Sequence, residues 1–283
     1  MRINTNIASL TAQEASTNTN NNLRNSLEKL SSGLRINKAS DDASGLAIAD
    51  KLRTQASSIK QAIANGNSAV SLIQIADKAM AEQSNILDMV KQKLIQAATA
   101  TTSSEGREAI GKDISKLLTQ LNEVANQTNY NGISLLQGAS AGEASEKLTF
   151  QMGEKSGNTA ELEGAVKANT TGLTGMSALK ASAAAGSWSA GDARGFLDDL
   201  DSALNQLNEW RSDFGSTQNQ IESGIRNMMT QVTNIKAAES VIRDVDYAQE
   251  SANFNKQNII AQAGTYAMSQ ANAMQQNVQR LLQ

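Results

Sequence analysis

Three pairs of acidic residues are the main candidates for chemistry in this 283-residue chain. The pairs are Asp41 with Asp42, Asp198 with Asp199, and Asp244 with Asp246. Paired carboxylates can act as general acid and base, or they can bind a metal ion. However, the chain has no His and no Cys, which supply the commonest metal ligands and the thiolate nucleophile. No Gly-x-Gly-x-x-Gly or Walker-type phosphate loop is present either. We therefore expect the acids to cap helices or to lie on solvated surfaces, and we predict no enzyme activity, no metal and no cofactor.

The elements that position these acids are clearest in residues 30–52, which contain the first pair. Gly33 disfavours continuation of a helix, and the basic residues after it complement the negative end of the helix before it. Acidic residues then offer hydrogen-bond caps and negative charge to the start of a second helix. The pattern predicts two helices joined by a short linker, in which the key residues are Arg35, Asn37, Asp41 and Asp42.

The composition permits long helices and disfavours a thick globular core. The chain has no Pro, whereas average usage would supply about fourteen in a chain of this length, so no helix is interrupted by proline. Aromatic residues make up only 3% of the chain, which suits narrow contacts between helices. We predict a mainly α protein: an elongated helical bundle or coiled coil with paired terminal helices and a small β-hairpin region.

The net charge of −3 and the pI near 5.2 give no electrostatic footprint for nucleic acid. No stretch of about 18 apolar residues predicts a membrane span, and the first residues lack the apolar core of a cleavable secretory signal. We expect neither nucleic acid nor membrane as a partner.

Apolar residues recur with alternating spacings of three and four residues in four segments, as in packed helices. In the first segment, which has a polar break at residues 18–22, they are Ile3, Ile7, Leu10, Leu23, Leu27, Leu30 and Leu34. In the second segment, from about residue 44 to residue 101, they are Leu52, Ala56, Ile59, Ile63, Gly66, Val70 and Ile73. A helix of that length would reach roughly 85 Å. In the third segment they are Ile110, Ile114, Leu117, Leu121 and Val124, and in the fourth they run from Leu197 to Ile235.

The third segment ends at a strong turn signal in residues 129–132. From there to about residue 191 the chain is rich in Gly, Ser, Ala and Thr and predicts short strands and loops, with residues 148–153 as the best strand. The C-terminus returns to the helical spacing with Ile260, Gly264, Ala267, Ala271, Met274, Val278 and Leu281. Because no charged residue lies between Lys256 and Arg280, we expect this helix to become buried among polar amide partners, whether or not it is ordered before assembly.

Sequence motifs at both ends of the chain carry a family resemblance. In the first half they are residues 30–52 and Asn129-Tyr130-Asn131-Gly132. In the second half the motif is Ala238-Glu239-Ser240-Val241-Ile242-Arg243-Asp244-Val245-Asp246-Tyr247-Ala248. These motifs resemble those of bacterial flagellins, and the resemblance covers residues 1–138 and 193–283. It implies an inner tube layer, D0, from residues 1–43 and 246–283, and a next layer, D1, from residues 44–138 and 193–245. Residues 139–192 would form a hairpin and a small surface region, too short for a sizeable outer domain, so we expect a minimal subunit.

The resemblance also implies a function, partners and a location. The chain would polymerise with itself into the filament used for swimming. It would leave the cell through the flagellar type III channel without a cleaved signal, and it would meet an export chaperone, the filament cap and the hook–filament junction proteins. We expect the D0 assembly interface to be formed by Ile3, Ile7, Leu10, Leu23, Leu27, Leu30, Leu34, Ile260, Ala267, Met274, Val278 and Leu281.

Many flagellins carry a basic-Val-basic-Glu-Leu patch that the flagellin-sensing Toll-like receptor binds. Here the equivalents of the first basic residue, the second basic residue and the Glu are Met89, Lys91 and Gln92. Two of the three charges are missing, as in flagellins of the Campylobacter and Helicobacter group, so we expect weak receptor recognition or none.

Hydroxyl side chains cluster in the central region, which would face outward from a filament. We expect O-glycosylation there if the source has the enzymes. The candidates are Ser140, Ser145, Ser156, Thr159, Thr170, Thr171, Thr174, Ser182 and Ser187.

Two other functions use similar helices. A hook–filament junction protein shares flagellin-like ends, although these match flagellin more loosely than the ends of this chain do. A secreted coiled-coil adhesin or translocator would show the same heptads. Electron microscopy separates the three, because a filament subunit alone should form long uniform tubes unaided.

Overall fold

A computed structural model describes residues 5–137, 148–162, 166–185 and 189–281, and for residues 275 and 278–281 it describes the backbone alone. The described helices are α1 (Ile7–Ser32), α2 (Ala43–Ala98), α3 (Ser104–Gln127), α4 (Met176–Ala185), α5 (Ala190–Arg243) and α6 (Tyr247–Leu281). The strands are β1 (Asn129–Tyr130), β2 (Ile133–Ser134), β3 (Leu148–Gln151) and β4 (Thr159–Leu162). The prediction of a mainly α protein with small β-hairpins is confirmed.

The chain divides into two compact units. One comprises residues 58–231 and is called the bundle unit below. The other comprises residues 1–57 and 232–283 and is called the terminal unit. In the described part of the chain, no helix is both long enough and apolar enough to cross a membrane.

In the bundle unit, α2 packs antiparallel against both α3 and α5. The Arg211 side chain of α5 donates from Nε to Asp77 Oδ1 of α2 at 2.9 Å. Close to the other end of the unit, a Cβ at Gly66 would lie 3.0 Å from the side chain of Ile225, so the two helices approach closely there. The largest side chains of the core are fully buried and include Ile73, Met80, Ile86, Leu87, Leu94, Ile114, Leu118 and Leu121.

The buried face of α3 keeps three of the five predicted positions and differs at the other two. Ile110, Ile114 and Leu121 are buried as expected, but Leu118 is buried where Leu117 was predicted. Ala125 likewise takes the place of Val124. The reason is that α3 contacts α4 as well as α2. A helix that packs against two others buries a wider stripe than the a and d positions of a two-helix coiled coil.

Helix α4 was not predicted and corrects the interpretation of residues 139–192 as strands and loops alone. Met176, Leu179 and Ala183 are buried with helical spacing on one face. Gly175 precedes the helix with a φ of 74°, a left-handed conformation that glycine adopts readily. The prediction missed this ten-residue helix because it was based on the composition of the whole region, which is dominated by the Gly and Ser residues on either side of the helix.

The two hairpins match their sequence signals. β3 pairs with β4 in an antiparallel register that places Phe150 opposite Ala160. β1 pairs with β2 through a two-residue turn, in which Asn131 has a φ of 51° and Gly132 a φ of 83°. Positive φ at both central positions is the requirement of a type I′ turn, which an Asn-Gly pair meets.

In the terminal unit, α1 and α6 pair antiparallel. Asn6 donates from Nδ2 to the carbonyl of Ala271 at 3.1 Å near one end, and Tyr247 Oη donates to the carbonyl of Leu30 at 2.8 Å near the other. The polar residues 18–22 change the apolar register without interrupting α1. The helix ends at Gly33, which has a φ of 72° and donates its N–H to Lys29.

Candidate assembly surface and its linker

The apolar residues of the terminal helices are largely uncovered. None of the described side chains of α6 is buried, and in α1 only Thr19 and Ser26 are buried. Of the predicted interface residues, Ile7, Leu10, Leu27, Ile260, Ala267 and Met274 are exposed, while Leu23, Leu30 and Leu34 are half-buried. Ile3 and the side chains of Val278 and Leu281 lie outside the described residues. Sequence analysis missed Ile259 and Tyr266, which are also exposed apolar side chains on α6.

The electrostatics of α6 are unusual for an exposed helix. Residues 257–279 carry no charge, so the helix can be covered by another surface without desolvating an ion. Its polar groups are mostly Gln and Asn amides, which can donate and accept hydrogen bonds with similar amides. The exposed part of α6 therefore combines apolar side chains with uncharged amides, a composition suited to contact with another protein surface.

Two linker segments of the terminal unit are joined by main-chain hydrogen bonds. Leu34 and Asp244 form an isolated antiparallel bridge. Beside it, the N–H of Arg35 donates to the carbonyl of Arg243 at 2.6 Å, and the N–H of Val245 donates to the carbonyl of Gly33 at 3.0 Å. We call this pairing of residues 33–35 with residues 243–245 the linker clasp.

Side chains extend the clasp in both directions. Arg35 donates from Nη2 to the carbonyl of Ile242 at 2.6 Å, where it satisfies a carbonyl at the end of α5. The Tyr247 hydroxyl reaches the carbonyl of Leu30 near the end of α1 in the same way. Sequence analysis quoted Tyr247 as part of a motif but gave its hydroxyl no role, because the partner lies 217 residues away.

The acidic linker residues act as local caps. Asp41 Oδ2 accepts from the N–H of Lys38 at 2.9 Å and from the N–H of Asn37 at 3.1 Å. These two backbone hydrogen bonds, the one from Lys38 first, lower the pKa of Asp41 below its ordinary value. Asp42 Oδ1 accepts from the N–H of Gly45 at 2.9 Å and caps α2. Sequence analysis missed Glu28, whose Oε1 accepts from Asn37 Nδ2 at 3.0 Å.

The third acid pair also supplies a helix cap. Asp246 Oδ1 accepts from the N–H groups of Ala248 and Gln249 at 2.9 and 3.2 Å and caps α6. Asp198 and Asp199 lie on α5. Among the described residues, no group of three or more His, Cys, Asp or Glu side chains could hold a metal ion.

The residues equivalent to the receptor patch lie on α2. Met89 and Gln92 are exposed. Lys91 is half-buried and forms an ion pair with Asp201 of α5. Lys93 pairs with Asp113 of α3 at 3.1 Å. Both lysines of the stretch therefore contact acids of the same subunit.

The candidate glycosylation residues differ in accessibility. Ser156, Thr159, Thr171 and Thr174 are exposed and Ser182 is half-buried, whereas Ser140, Ser145 and Ser187 lie outside the described residues. The prediction of a surface hydroxyl is wrong for Thr170, which is buried. Its N–H donates to Asn122 Oδ1 at 2.8 Å, and its Oγ1 accepts from Asn122 Nδ2 at 3.0 Å. It is not a surface hydroxyl.

Comparison with known proteins covers both ends of the chain. Residues 3–141 match the bacterial flagellin N-terminal helical region, and residues 197–282 match the bacterial flagellin C-terminal helical region. The chain is 34% identical to the flagellar filament 33 kDa core protein of Treponema phagedenis and 36% identical to flagellin of Bacillus subtilis, with 100% of each chain covered in both cases.

A third relative is longer. Flagellin A of Helicobacter pylori is 30% identical, and the alignment covers 99% of each chain. The alignment extends over 507 residues, whereas this chain has 283. Two matched end regions and full-length relatives above 30% identity lead to one conclusion: the chain belongs to the bacterial flagellin family and is a structural subunit of the flagellar filament.

Proposed function

We propose that the chain polymerises through its terminal unit, with the exposed apolar faces of α1 and α6 forming the contacts between subunits. The observation that carries this proposal is that none of the described side chains of α6 is buried, although the helix carries Ile259, Ile260, Tyr266 and Met274. Ordering a backbone costs about 1–2 kcal/mol per residue, and an isolated pair of helices recovers little of this. Contacts with neighbouring subunits would supply the missing burial.

The same proposal divides the chain into two layers and an outer segment. Residues 1–43 and 246–283 would form D0, and residues 44–138 and 193–245 would form D1, with residues 139–192 on the outer surface. Identical contacts that do not close into a ring generate an open helical polymer. The shortness of residues 139–192, compared with the much longer Helicobacter pylori relative, supports a minimal subunit without a large outer domain.

The test is a charge placed at Met274 in the full-length chain. We expect Met274→Asp to reduce filament formation at least tenfold, because an unpaired carboxylate would be buried at the interface. The matched control is Ser156→Asp, which adds the same charge at an exposed position of the β3–β4 hairpin loop. Normal filaments from Met274→Asp, counted by electron microscopy at matched monomer helicity, would refute the proposal.

Hydrogen exchange gives a second readout on the unmodified protein. Amides of α6 should exchange quickly in the monomer and slowly in the filament, because local opening is easy where few apolar contacts exist. Amides in the buried part of α3 should be protected in both states. Equal exchange of α6 in monomer and filament would contradict the role given to this helix.

Export and capping partners are part of the same proposal. The filament lies outside the cell, so we propose that the subunit passes through the flagellar type III channel without a cleaved signal. An uncovered apolar helix needs protection before assembly, which supports an export chaperone that covers α6. The filament cap and the hook–filament junction proteins would contact the same terminal unit. A chaperone that binds a chain lacking residues 247–283 as tightly as the whole chain would contradict this.

We propose weak Toll-like receptor recognition. Met89 and Gln92 cannot form the charge-assisted hydrogen bonds of an Arg and a Glu, and Lys91 is already paired with Asp201. A reporter-cell assay should show a stronger response when Met89→Arg and Gln92→Glu are combined. Wild-type potency equal to that of a flagellin with the intact patch would count against the proposal.

We also propose that the exposed hydroxyls of the central region, Ser156, Thr159, Thr171 and Thr174, accept O-linked sugars in a source with the enzymes. Intact-mass spectrometry of native filaments would show the added mass, and a mass equal to the bare sequence would exclude it.

The acidic pairs have no catalytic role in this proposal, because Asp41, Asp42 and Asp246 are engaged as caps.

A further inference from the structure

Methionine is the oxidisable sulfur of this protein. The chain has nine Met and no Cys, so a two-electron oxidant that attacks sulfur meets thioethers alone. Hydroperoxides convert a methionine thioether into a sulfoxide, which changes a flexible apolar side chain into a polar and chiral one. The rate depends on access to the sulfur, so the position of each methionine decides which is modified first.

The described methionines range from buried to largely exposed, and Met152 and Met268, the latter also on α6, are half-buried. Met80 and Met176 are fully buried in the bundle unit, each 0% exposed. Met274 is 59% exposed, Met229 is 56% exposed and Met89 is 42% exposed. Of these three, only Met274 lies on α6, within the uncharged residues 257–279.

We propose that Met274 is an oxidation site whose sulfoxide blocks polymerisation, so that the unassembled subunit is sensitive to peroxide and the assembled filament is protected. This inference rests on the function proposed above, in which the face of α6 that carries Met274 becomes buried between subunits. In the monomer the sulfur is open to solvent. In the filament the same contact that needs an apolar side chain would also exclude the oxidant.

The chemistry balances with a hydroperoxide as the only added reagent. A lone pair of the Met274 sulfur attacks one peroxide oxygen, and an S–O bond forms as the O–O bond breaks. With hydrogen peroxide, the sulfur loses two electrons and the other oxygen leaves as hydroxide. The transferred oxygen still carries a hydrogen, and this proton passes to the hydroxide, so the products are the sulfoxide and one water. The sulfoxide oxygen is a strong hydrogen-bond acceptor, and leaving it unsatisfied in an apolar contact is unfavourable.

The experiment uses the full-length monomer and dilute hydrogen peroxide, quenched with catalase before assembly begins. Peptide mapping should show Met274, Met229 and Met89 oxidised before Met80 and Met176. The initial rate of filament growth should fall about tenfold when Met274 is fully oxidised. The same dose applied to preformed filaments should modify Met274 much more slowly than Met229.

Two leucine variants assign the effect to a residue. Met274→Leu and Met229→Leu both remove one exposed sulfur and keep an apolar side chain of similar volume. Each variant is compared with its own untreated sample, so any direct effect of leucine on the growth rate cancels. We expect peroxide to slow Met229→Leu as much as wild type, and to leave Met274→Leu nearly unchanged. Equal loss of growth in the two variants would overturn the inference.

The untreated Met274→Asp protein separates the two ideas. If Met274→Asp polymerises normally, the proposed interface is wrong and this inference falls with it. If Met274→Asp fails to polymerise but fully oxidised wild type grows normally, the interface stands and the oxidation site alone is wrong. Oxidised wild type that grows slowly, with Met274→Leu spared, supports both.

Discussion

In the bundle unit, side chains from α2, α3, α4 and α5 bury one another, whereas in the terminal unit α1 and α6 pair but leave most of their apolar residues in solvent. The difference is visible in the large buried side chains, nearly all of which lie within residues 58–231. In the terminal unit the buried apolar residues among those described are Ile36, Ala49 and Ala56. Both units carry similar heptads, so the heptad pattern alone does not say whether a helix is covered by its own chain or by a neighbour.

The contrast has a thermodynamic meaning. Burial stabilises a folded chain by about 25 cal/mol per Å² of apolar surface removed from water. The bundle unit obtains this stabilisation within one subunit. The terminal unit would obtain it only in the polymer, which couples its order to assembly. The bundle unit would then be ordered before assembly, whereas the terminal unit would gain most of its stability in the filament.

The largest predicted effect is the loss of polymerisation when the ends are removed. A fragment of residues 44–245 should remain soluble and helical, because it retains the bundle unit, but it should form no filaments. Circular dichroism would measure its helicity, and electron microscopy its assembly. Long uniform filaments from this fragment would show that α1 and α6 are not the polymerising helices.

The next prediction compares one apolar truncation in each unit. Leu118→Ala in α3 should lower the free energy of unfolding by roughly 2–5 kcal/mol, because Leu118 is fully buried and its loss leaves a cavity. Ile259→Ala in α6 should change monomer stability by less than about 0.5 kcal/mol, because Ile259 is largely exposed. Denaturant unfolding of the monomers would measure both.

Filament stability, unlike monomer stability, should depend on Ile259. There the truncation removes surface that the proposed contact buries, so Ile259→Ala filaments should dissociate more readily than wild type. If Ile259→Ala weakened the monomer as much as Leu118→Ala, the terminal unit would have a core of its own and the contrast between the units would fail.

Sequence analysis found the long helices, the Gly33 helix end, the turn at residues 129–132 and the strand that begins at residue 148, because each is encoded by neighbouring residues. It misplaced Leu117 and Val124, because the identity of the third helix beside α3 is not local information. It missed α4 for the same reason, since the short apolar face of α4 packs against α3 and the sequence does not show that contact. The linker clasp was also beyond reach, because main-chain bonds such as that from Arg35 to Arg243 leave no side-chain signal.

A smaller effect is expected where the central segment meets the bundle. The amide of Asn122 forms two hydrogen bonds with Thr170, which is buried. Asn122→Ala should lower the free energy of unfolding by about 1–3 kcal/mol, because it leaves the N–H and hydroxyl of Thr170 without this partner. Thr170→Val is the control: it removes the hydroxyl but keeps the backbone bond and should cost less. A larger cost for Thr170→Val would show that packing around the side chain, and not the amide, fixes the segment.

The smallest effect concerns the pH dependence of the linker. Hydrogen bonds from the N–H groups of Lys38 and Asn37 lower the pKa of Asp41. A carboxyl whose pKa is lower in the folded chain than in the unfolded one stabilises the fold above its ordinary pKa, and this contribution is lost as the pH falls through the lowered value. The ordinary value for this residue is 3.8, so the linker should stay ordered through neutral pH and loosen only below that value.

The measurement is the amide proton shift of Asn37 and Lys38 in the monomer, followed by NMR as acid is added. Both signals should move together, with a midpoint below 3.8, because both amides donate to the same oxygen of Asp41. Asp41→Asn should abolish this shared transition, and Asp198→Asn, which removes an acid of the bundle unit, should leave it intact. A shared midpoint at or above the ordinary value would mean that Asp41 does not hold the linker in solution. The ordered connection would then depend on the Leu34–Asp244 bridge and its neighbouring main-chain bonds, which do not titrate.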